Sequence, residues 1–401
     1  MNGIVIVGAG EAGTRAAFAM RETGFSGSVT LIGEEPDLPY ERPPLSKPLE
    51  GAVRRKVICT AEVLQTARID YVAGISASRL DTISRSVSLS DGRTLTFDKL
   101  LLATGARPRR LTCRGADRAH DFRTYADASA LFSRAERGKT FAIIGAGLIG
   151  MELAAVLRTK GVAVKIIEVA DKPLGRAVPT RFASQLHARH VEEGVRFHFG
   201  QDIAEVTSDA VVLADGSQVP ADTVVSAIGV VPDTAIAEAA GLATGNGILA
   251  DATLRTSDPH VFVAGDCAAV LQPGGGHARY ESWRNARSQA ETAARNMAGA
   301  REMFAAVPWF WSDQYDLGLQ VAGLPQPQHQ NVVRPLGEGE LEFYLAGGRL
   351  VAAAGLAKGN TLAKDVKLAE ILIATGIALD PAALADPTVS LKTILKDAGA
   401  A

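Results

Sequence analysis

Two short glycine-rich runs carry the strongest chemical signal in this 401-residue sequence: Gly8-Ala9-Gly10-Glu11-Ala12-Gly13 and Gly145-Ala146-Gly147-Leu148-Ile149-Gly150. Glycines at the first, third and sixth places let the chain turn tightly, bring backbone against a pyrophosphate and pack the following helix closely. The phosphate charge then meets the outward-pointing amides of a helix N-terminus. One such run is a weak signal, but two in the same context predict two dinucleotide sites. Each site also needs an acid at the tip of its second strand to accept hydrogen bonds from ribose hydroxyls. Glu34 follows Ser28-Val29-Thr30-Leu31-Ile32-Gly33, with Glu35 as a solvated neighbour or alternative partner, and Glu168 follows Val162-Ala163-Val164-Lys165-Ile166-Ile167. A carboxylate at Glu168 repels a 2′-phosphate, so the second site should prefer NADH to NADPH. Lys172 and Arg176 follow closely and could contact phosphates or soften that preference.

The elements that must position these groups are legible around them. Ile4-Val5-Ile6-Val7 and Phe141-Ala142-Ile143-Ile144 precede the glycine runs, and an Ala-rich helical stretch follows each. Three more apolar runs end in small residues, at Ala103-Thr104-Gly105-Ala106, at Ala227-Ile228-Gly229 and at Ala264-Gly265-Asp266. They read as buried strands whose end turns approach a cofactor, with Asp266 placed to accept hydrogen bonds from a ribityl chain. Their order makes the second unit an insertion into the first. The expected fold class is α/β, with two Rossmann-like dinucleotide-binding domains and a C-terminal α+β domain. The first domain would comprise residues 1–109 and 233–308, the second 110–232, and the third 309–401. The last contains Glu340–Leu345, Leu350–Gly355 and a helical stretch from Leu362 to Thr375.

Bulk properties narrow the class. With 47% hydrophobic residues the chain can build several cores, and a formal charge of −2 offers no global attraction for nucleic acid. No apolar run approaches a membrane span, and a strand beginning by residue 4 leaves no room for an export signal, so a cytoplasmic protein is expected. The three cysteines, Cys59, Cys113 and Cys267, form no CxxC pair and no metal-ligand set with histidine. They read as small buried hydrophobes. Nothing in the sequence chooses between monomer and homodimer.

Several motifs agree in order: Pro39-Tyr40-Glu41-Arg42-Pro43-Pro44-Leu45-Ser46-Lys47, the Ala-Thr-Gly turn, Ala264-Gly265-Asp266, Glu281-Ser282-Trp283-Arg284-Asn285-Ala286, and Pro308-Trp309-Phe310-Trp311-Ser312-Asp313-Gln314. With them the chain resembles the FAD-dependent, pyridine-nucleotide ferredoxin reductases that serve Rieske-type oxygenases and some cytochrome P450 systems. The resemblance implies a glutathione-reductase fold, FAD in the first site, NADH in the second, and a [2Fe-2S] ferredoxin as acceptor, with a terminal oxygenase or cytochrome P450 downstream. It also implies that Lys47 sits on the flavin N5 side, paired with a nearby acid, and that Glu152 contacts the nicotinamide side or pairs with that lysine.

Physical readings of the same residues agree. Arg42 offers directional phosphate contacts, and the Lys47 ammonium can stabilise negative charge on a reduced flavin. Glu152 is assigned positioning rather than proton abstraction, because the cofactors carry the difficult chemistry. Trp311 is the preferred stacking or gating residue and Trp283 a second wall against water, with core packing the alternative for either. Disulfide-active relatives carry a cysteine where Ser46 and Lys47 stand here, which favours direct flavin-to-partner electron transfer.

Basic residues at Arg107, Arg109, Arg110 and Arg114, and at Lys358, Lys364 and Lys367, could steer a transient encounter with an acidic ferredoxin. The alternatives are transfer to rubredoxin, quinone or another small acceptor, or a redox-dependent interaction flavoprotein.

Overall fold

The run Ile4-Val5-Ile6-Val7 forms the strand Gly3–Val7, buried along its whole length. It is apolar without alternation because it is covered on both faces and has a parallel neighbour on each side. The computed structural model describes residues 3–47, 53–175 and 178–400; Arg176 lies outside the described residues. The chain divides into two compact units, one of Met1–Pro44, Arg55–Arg107 and Val230–Ala306, the other of Leu45–Arg54, Pro108–Gly229 and Val307–Ala401.

In the first unit the strands Ile69–Ala73, Val29–Gly33, Gly3–Val7, Thr94–Leu102 and Val261–Val263 pair in parallel in that order. The chain therefore reverses its order at the central strand, which puts the first glycine run at the topological switch point of the sheet. The long strand Thr94–Leu102 continues into an antiparallel pair with Ser86–Leu89. The first fingerprint helix, Glu11–Glu22, packs on the helix Trp283–Met297. Ala16 and Ala17 on one, and Ala290, Ala293 and Ala294 on the other, are fully buried, so the absence of longer side chains lets the two backbones approach. Ser28, expected to begin the second strand, lies just outside it.

The second unit repeats the parallel pattern with Arg196–Phe199, Ala163–Glu168, Thr140–Ile144 and Thr223–Ser226. Its fingerprint helix, Leu148–Thr159, is buried almost all round because it packs on that sheet and on the strand Trp309–Gln314. That strand is one edge of a five-stranded antiparallel sheet, followed in order by Leu317–Gly323, Arg349–Lys358, Gly339–Ala346 and Gln330–Leu336. The helix Ala363–Thr375 covers the sheet, with Leu362 as its N-cap rather than its first turn, and ends at Gly376 with φ of 63°. Among the described residues no helix is long and apolar enough to cross a membrane.

Candidate functional site

The first glycine run separates two kinds of requirement. Gly8 has φ of 106°, and a Cβ there would lie 2.1 Å from the Ala103 carbonyl oxygen; one on Gly13 would lie 1.8 Å from the Gly8 oxygen. Those glycines serve the fold itself. Among the described residues a Cβ on Gly10 would meet nothing within 4 Å. Gly10 is also the N-cap of a helix that no side chain caps, so its first amides face open space. An open, uncapped N-terminus of this kind fits a diphosphate.

Around it stand Ala103, Thr104, whose hydroxyl donates to the Asp233 carbonyl at 2.6 Å, and Gly105. Gly265, with φ of 86°, brings backbone close to Ala12, since a Cβ there would be 3.0 Å from the Ala12 Cβ. Its amide donates to Gln289 Oε1 at 2.8 Å, and the half-buried Asp266 follows it. Glu11 opens the helix. Burial raises its carboxyl above the usual range, opposed by Arg287, whose guanidinium lies 3.9 Å away and also sits over the Trp283 ring.

At the strand tip Glu34 is exposed and 3.2 Å from Arg107. Of the two expectations for Glu35, a solvated neighbour or an alternative partner, its surroundings depart from the first: it accepts from Arg42 Nη2 at 2.8 Å and from the Tyr40 hydroxyl. The Arg42 charge is correspondingly engaged by Glu35, with its guanidinium over the Tyr40 ring.

The second run has the same construction. Gly145, φ 104°, and Gly150 would place a Cβ 2.5 and 2.2 Å from the oxygens of Ala227 and Gly145, whereas a Cβ on Gly147 meets nothing. The helix from Leu148 again has a glycine N-cap without a side-chain bond, and Ile149 is exposed on its first turn. Gly229 lies near the crossover, its carbonyl accepting from the Arg109 amide at 2.9 Å. Both Glu168 oxygens already accept backbone amides, Oε2 from Ala146 at 2.7 Å and Oε1 from Ala170 at 2.9 Å. Phe199 is the cross-strand partner of Glu168, and it lines a cavity of about 200 Å³ together with Asp171, Lys172, Thr180, Ser184 and His187.

A buried carboxylate cluster completes the second unit. Glu152 is only 7% exposed; its Oε2 accepts from Ser46 Oγ and its Oε1 from Ser312 Oγ, each at 2.7 Å. Burial pushes this carboxyl up, opposed first by the Lys47 charge and then by the two hydroxyls, with Asp313 adding to the rise. The ion pair of Lys47 is made with Asp313 rather than with Glu152. Period-two alternation explains the split: Ser312 and Gln314 occupy one face of the edge strand, while Trp311 and Asp313 occupy the other. Lys47 lies on that second face, 5.6 Å above the Trp311 ring, and Trp311 stacks on Trp309 at 5.2 Å. Ser46, Ser312 and Asp313 belong to the site although sequence reasoning gave them no role; the abrupt passage from the aromatic run 309–311 to the polar run 312–314 was the available signal.

The thiols are passive. Cys59 and Cys267 are buried and Cys113 only half-buried, and burial pushes all three up, away from the thiolate. Most of the expected basic residues are paired locally: Arg107 with Asp233, Arg110 with Asp121, Arg114 with Glu205, Lys358 with Glu338 and Lys367 with Glu370. Among the described residues the Arg109 and Lys364 side chains make no ion pair.

Comparison with known proteins gives two family matches, pyridine nucleotide-disulphide oxidoreductase over residues 2–290 and reductase C-terminal over residues 309–395. The chain is 40% identical, over 98% of both sequences, to the ferredoxin–NAD(+) reductase component of the anthranilate 1,2-dioxygenase system of Burkholderia cepacia. It is 38% identical, over 97% of both, to the corresponding component of the p-cumate 2,3-dioxygenase system of Pseudomonas putida. Its fold matches the crystal structure of the covalent putidaredoxin reductase–putidaredoxin complex with a TM-score of 0.93 and 31% identity, covering 100% of this chain and 99% of that one.

Proposed function

The chain belongs to the pyridine nucleotide-disulphide oxidoreductase family, and from that membership we propose that it is an NADH-dependent flavoprotein reductase passing electrons to a [2Fe-2S] ferredoxin of an oxygenase system. The observation that carries the reading is the repeated cradle: at Gly10 and at Gly147 an open glycine caps a helix that nothing else caps. FAD and NADH, when bound, supply the hydride chemistry and its conversion to single-electron transfer.

The residues divide this work. Gly10 and Ala12 hold the FAD diphosphate at the turn that Gly8 and Gly13 make possible, while Glu34 and Asp266 accept its ribose and ribityl hydroxyls, against the Ala103-Thr104-Gly105 and Gly265 turns. Arg42, oriented by Glu35, supplies positive charge to the same cofactor. Gly145, Gly147, Leu148, Ile149 and Gly150 hold the NADH diphosphate, with Gly229 lining the approach. Glu168 and the adjoining cavity take the adenosine end, and the carboxylate disfavours a 2′-phosphate. Glu152 orients the nicotinamide, Lys47 stabilises negative charge on the reduced flavin, and Trp311 and Trp283 exclude water.

The three-domain division, with boundaries at 109/110, 232/233 and 308/309, a cytoplasmic location, and a transient docking of an acidic ferredoxin are part of the same proposal. With no thiolate to relay electrons, delivery is direct. Surface ion pairs such as Arg110–Asp121 are weak and can exchange partners. The local pairing of most basic residues is nevertheless the observation that favours a second acceptor class, rubredoxin or quinone.

Purified protein should carry one noncovalent FAD that NADH bleaches faster than NADPH does. Recovery of FMN, or a flavin that NADH leaves oxidised, contradicts the proposal.

A further inference from the structure

Beyond Glu152 a line of buried polar side chains runs away from the site within the second unit. Ser312 Oγ donates to Glu152 Oε1 at 2.7 Å, and Gln314 Nε2 donates to Ser312 Oγ at 3.1 Å. Gln314 Oε1 lies 3.0 Å from His190 Nε2, and His190 Nδ1 lies 3.2 Å from the Tyr315 hydroxyl. Ser312, Gln314 and His190 are at most 1% exposed.

With Glu152 ionised, the chemistry fixes every direction along this line. A carboxylate only accepts, so Ser312 must turn its proton toward Glu152 and offer a lone pair to Gln314. Gln314 therefore faces Ser312 with its NH2 end and His190 with its carbonyl. The imidazole must then carry its proton on Nε2, which leaves Nδ1 to accept from the Tyr315 O–H. All four donors point toward Glu152, and aligned bonds of this kind polarise one another.

Tyr315 is held to this task. It occupies the two-residue turn between Gln314 and Leu317 with φ of 56°, a conformation that is unfavourable for a bulky side chain. Arg189 grips the turn, with its guanidinium 5.0 Å from the centre of the Tyr315 ring and 3.1 Å from the Asp316 carboxylate.

We propose that His190 is a remote positioning residue for Glu152: by fixing the Gln314 amide it aims the Ser312 hydroxyl and favours the charged carboxylate. The inference rests on the reading of Glu152 as the group that orients nicotinamide. Without the imidazole donor the Gln314 amide can turn over, and its carbonyl then takes the Ser312 proton away from Glu152. The other groups facing Glu152 are Lys47, Ser46 and Asp313; those facing His190 are His187, Arg189 and Glu193. Burial lowers the imidazole to about 4 and keeps the phenol protonated, so the chain stays neutral and directional near pH 7.

The test is infrared difference titration of the carboxylic acid C=O band in the purified full-length protein, the band being assigned to Glu152 by its loss in Glu152→Gln. Gln314→Met and His190→Phe should each raise the pH at which Glu152 takes its proton by about one unit, a tenfold gain in proton affinity. Tyr315→Phe, which removes only a hydroxyl, should give a smaller shift in the same direction and remains available should either core variant fold poorly. An unchanged titration in folded Gln314→Met and Tyr315→Phe proteins overturns the proposal. The titration is read independently of turnover: a shifted titration in a protein that NADH does not reduce would overturn the functional reading and leave only the coupling of His190 to Glu152.

Discussion

Glu168 accepts the Ala146 amide at 2.7 Å, which ties the end of its strand to the turn of the second glycine run. The acid is therefore a latch of the turn, and each oxygen keeps a second lone pair for the ribose hydroxyls that the proposal assigns to it. Glu168→Ser should remove the charge that repels a 2′-phosphate and shift the ratio of NADPH to NADH reduction efficiency several-fold toward NADPH. It should also cost about 1–2 kcal/mol of folding stability by leaving the Ala146 and Ala170 amides without their acceptor. Rapid-mixing kinetics with both nucleotides, alongside denaturant unfolding, measures the two effects. An unchanged specificity ratio would reduce Glu168 to its structural role.

Gly8 and Gly10 predict opposite outcomes from the same substitution. Gly8→Ala forces a Cβ against the Ala103 carbonyl at a positive φ, so the protein itself should be destabilised, by about 1–3 kcal/mol. Gly10→Ala touches nothing among the described residues, so the flavin-free protein should unfold at the wild-type denaturant midpoint while holding FAD more weakly. Wild-type flavin affinity in Gly10→Ala would remove the diphosphate from that cradle.

The pH dependence of stability should carry a signature of His190. Burial lowers its pKa in the folded protein to about 4 from an unfolded value near 6.5. The unfolded chain therefore binds the proton first, and stability present in full above the unfolded value is lost as pH falls toward 4. Between about pH 8 and about pH 5 this group alone should account for a loss of about 2 kcal/mol. His190→Phe should flatten the profile over that window, and urea unfolding at a series of pH values checks it.

What the sequence made legible was local. The fingerprints announced themselves because glycine spacing, a preceding β-branched run and a following Ala-rich helix are contiguous, and Gly3–Val7 lacks alternation because both its faces are covered. The partners of Glu152 were hidden, since Ser46 and Ser312 lie 106 and 160 residues away in the chain and meet it only through tertiary packing. The choice of Lys47 between two acids depended on Asp313 occupying the face of the edge strand opposite to Ser312, the residue that binds Glu152. Glu35 read as a solvated neighbour of Glu34 or an alternative to it, and its engagement by Arg42 was not visible along the chain. Likewise, charge counts could not reveal that Arg110 and Arg114 sit beside Asp121 and Glu205.

The central claim is direct delivery of electrons from NADH-reduced flavin to a [2Fe-2S] ferredoxin without a cysteine relay. The most direct measurement is stopped-flow mixing of a variant lacking Cys59, Cys113 and Cys267, first with NADH and then with the oxidised ferredoxin. Flavin reduction should run at wild-type rates and be followed by single-electron reduction of ferredoxin, with a bimolecular phase that slows as salt is raised. Flavin reduction without transfer to any [2Fe-2S] ferredoxin, but with rapid transfer to rubredoxin or quinone, would contradict that claim.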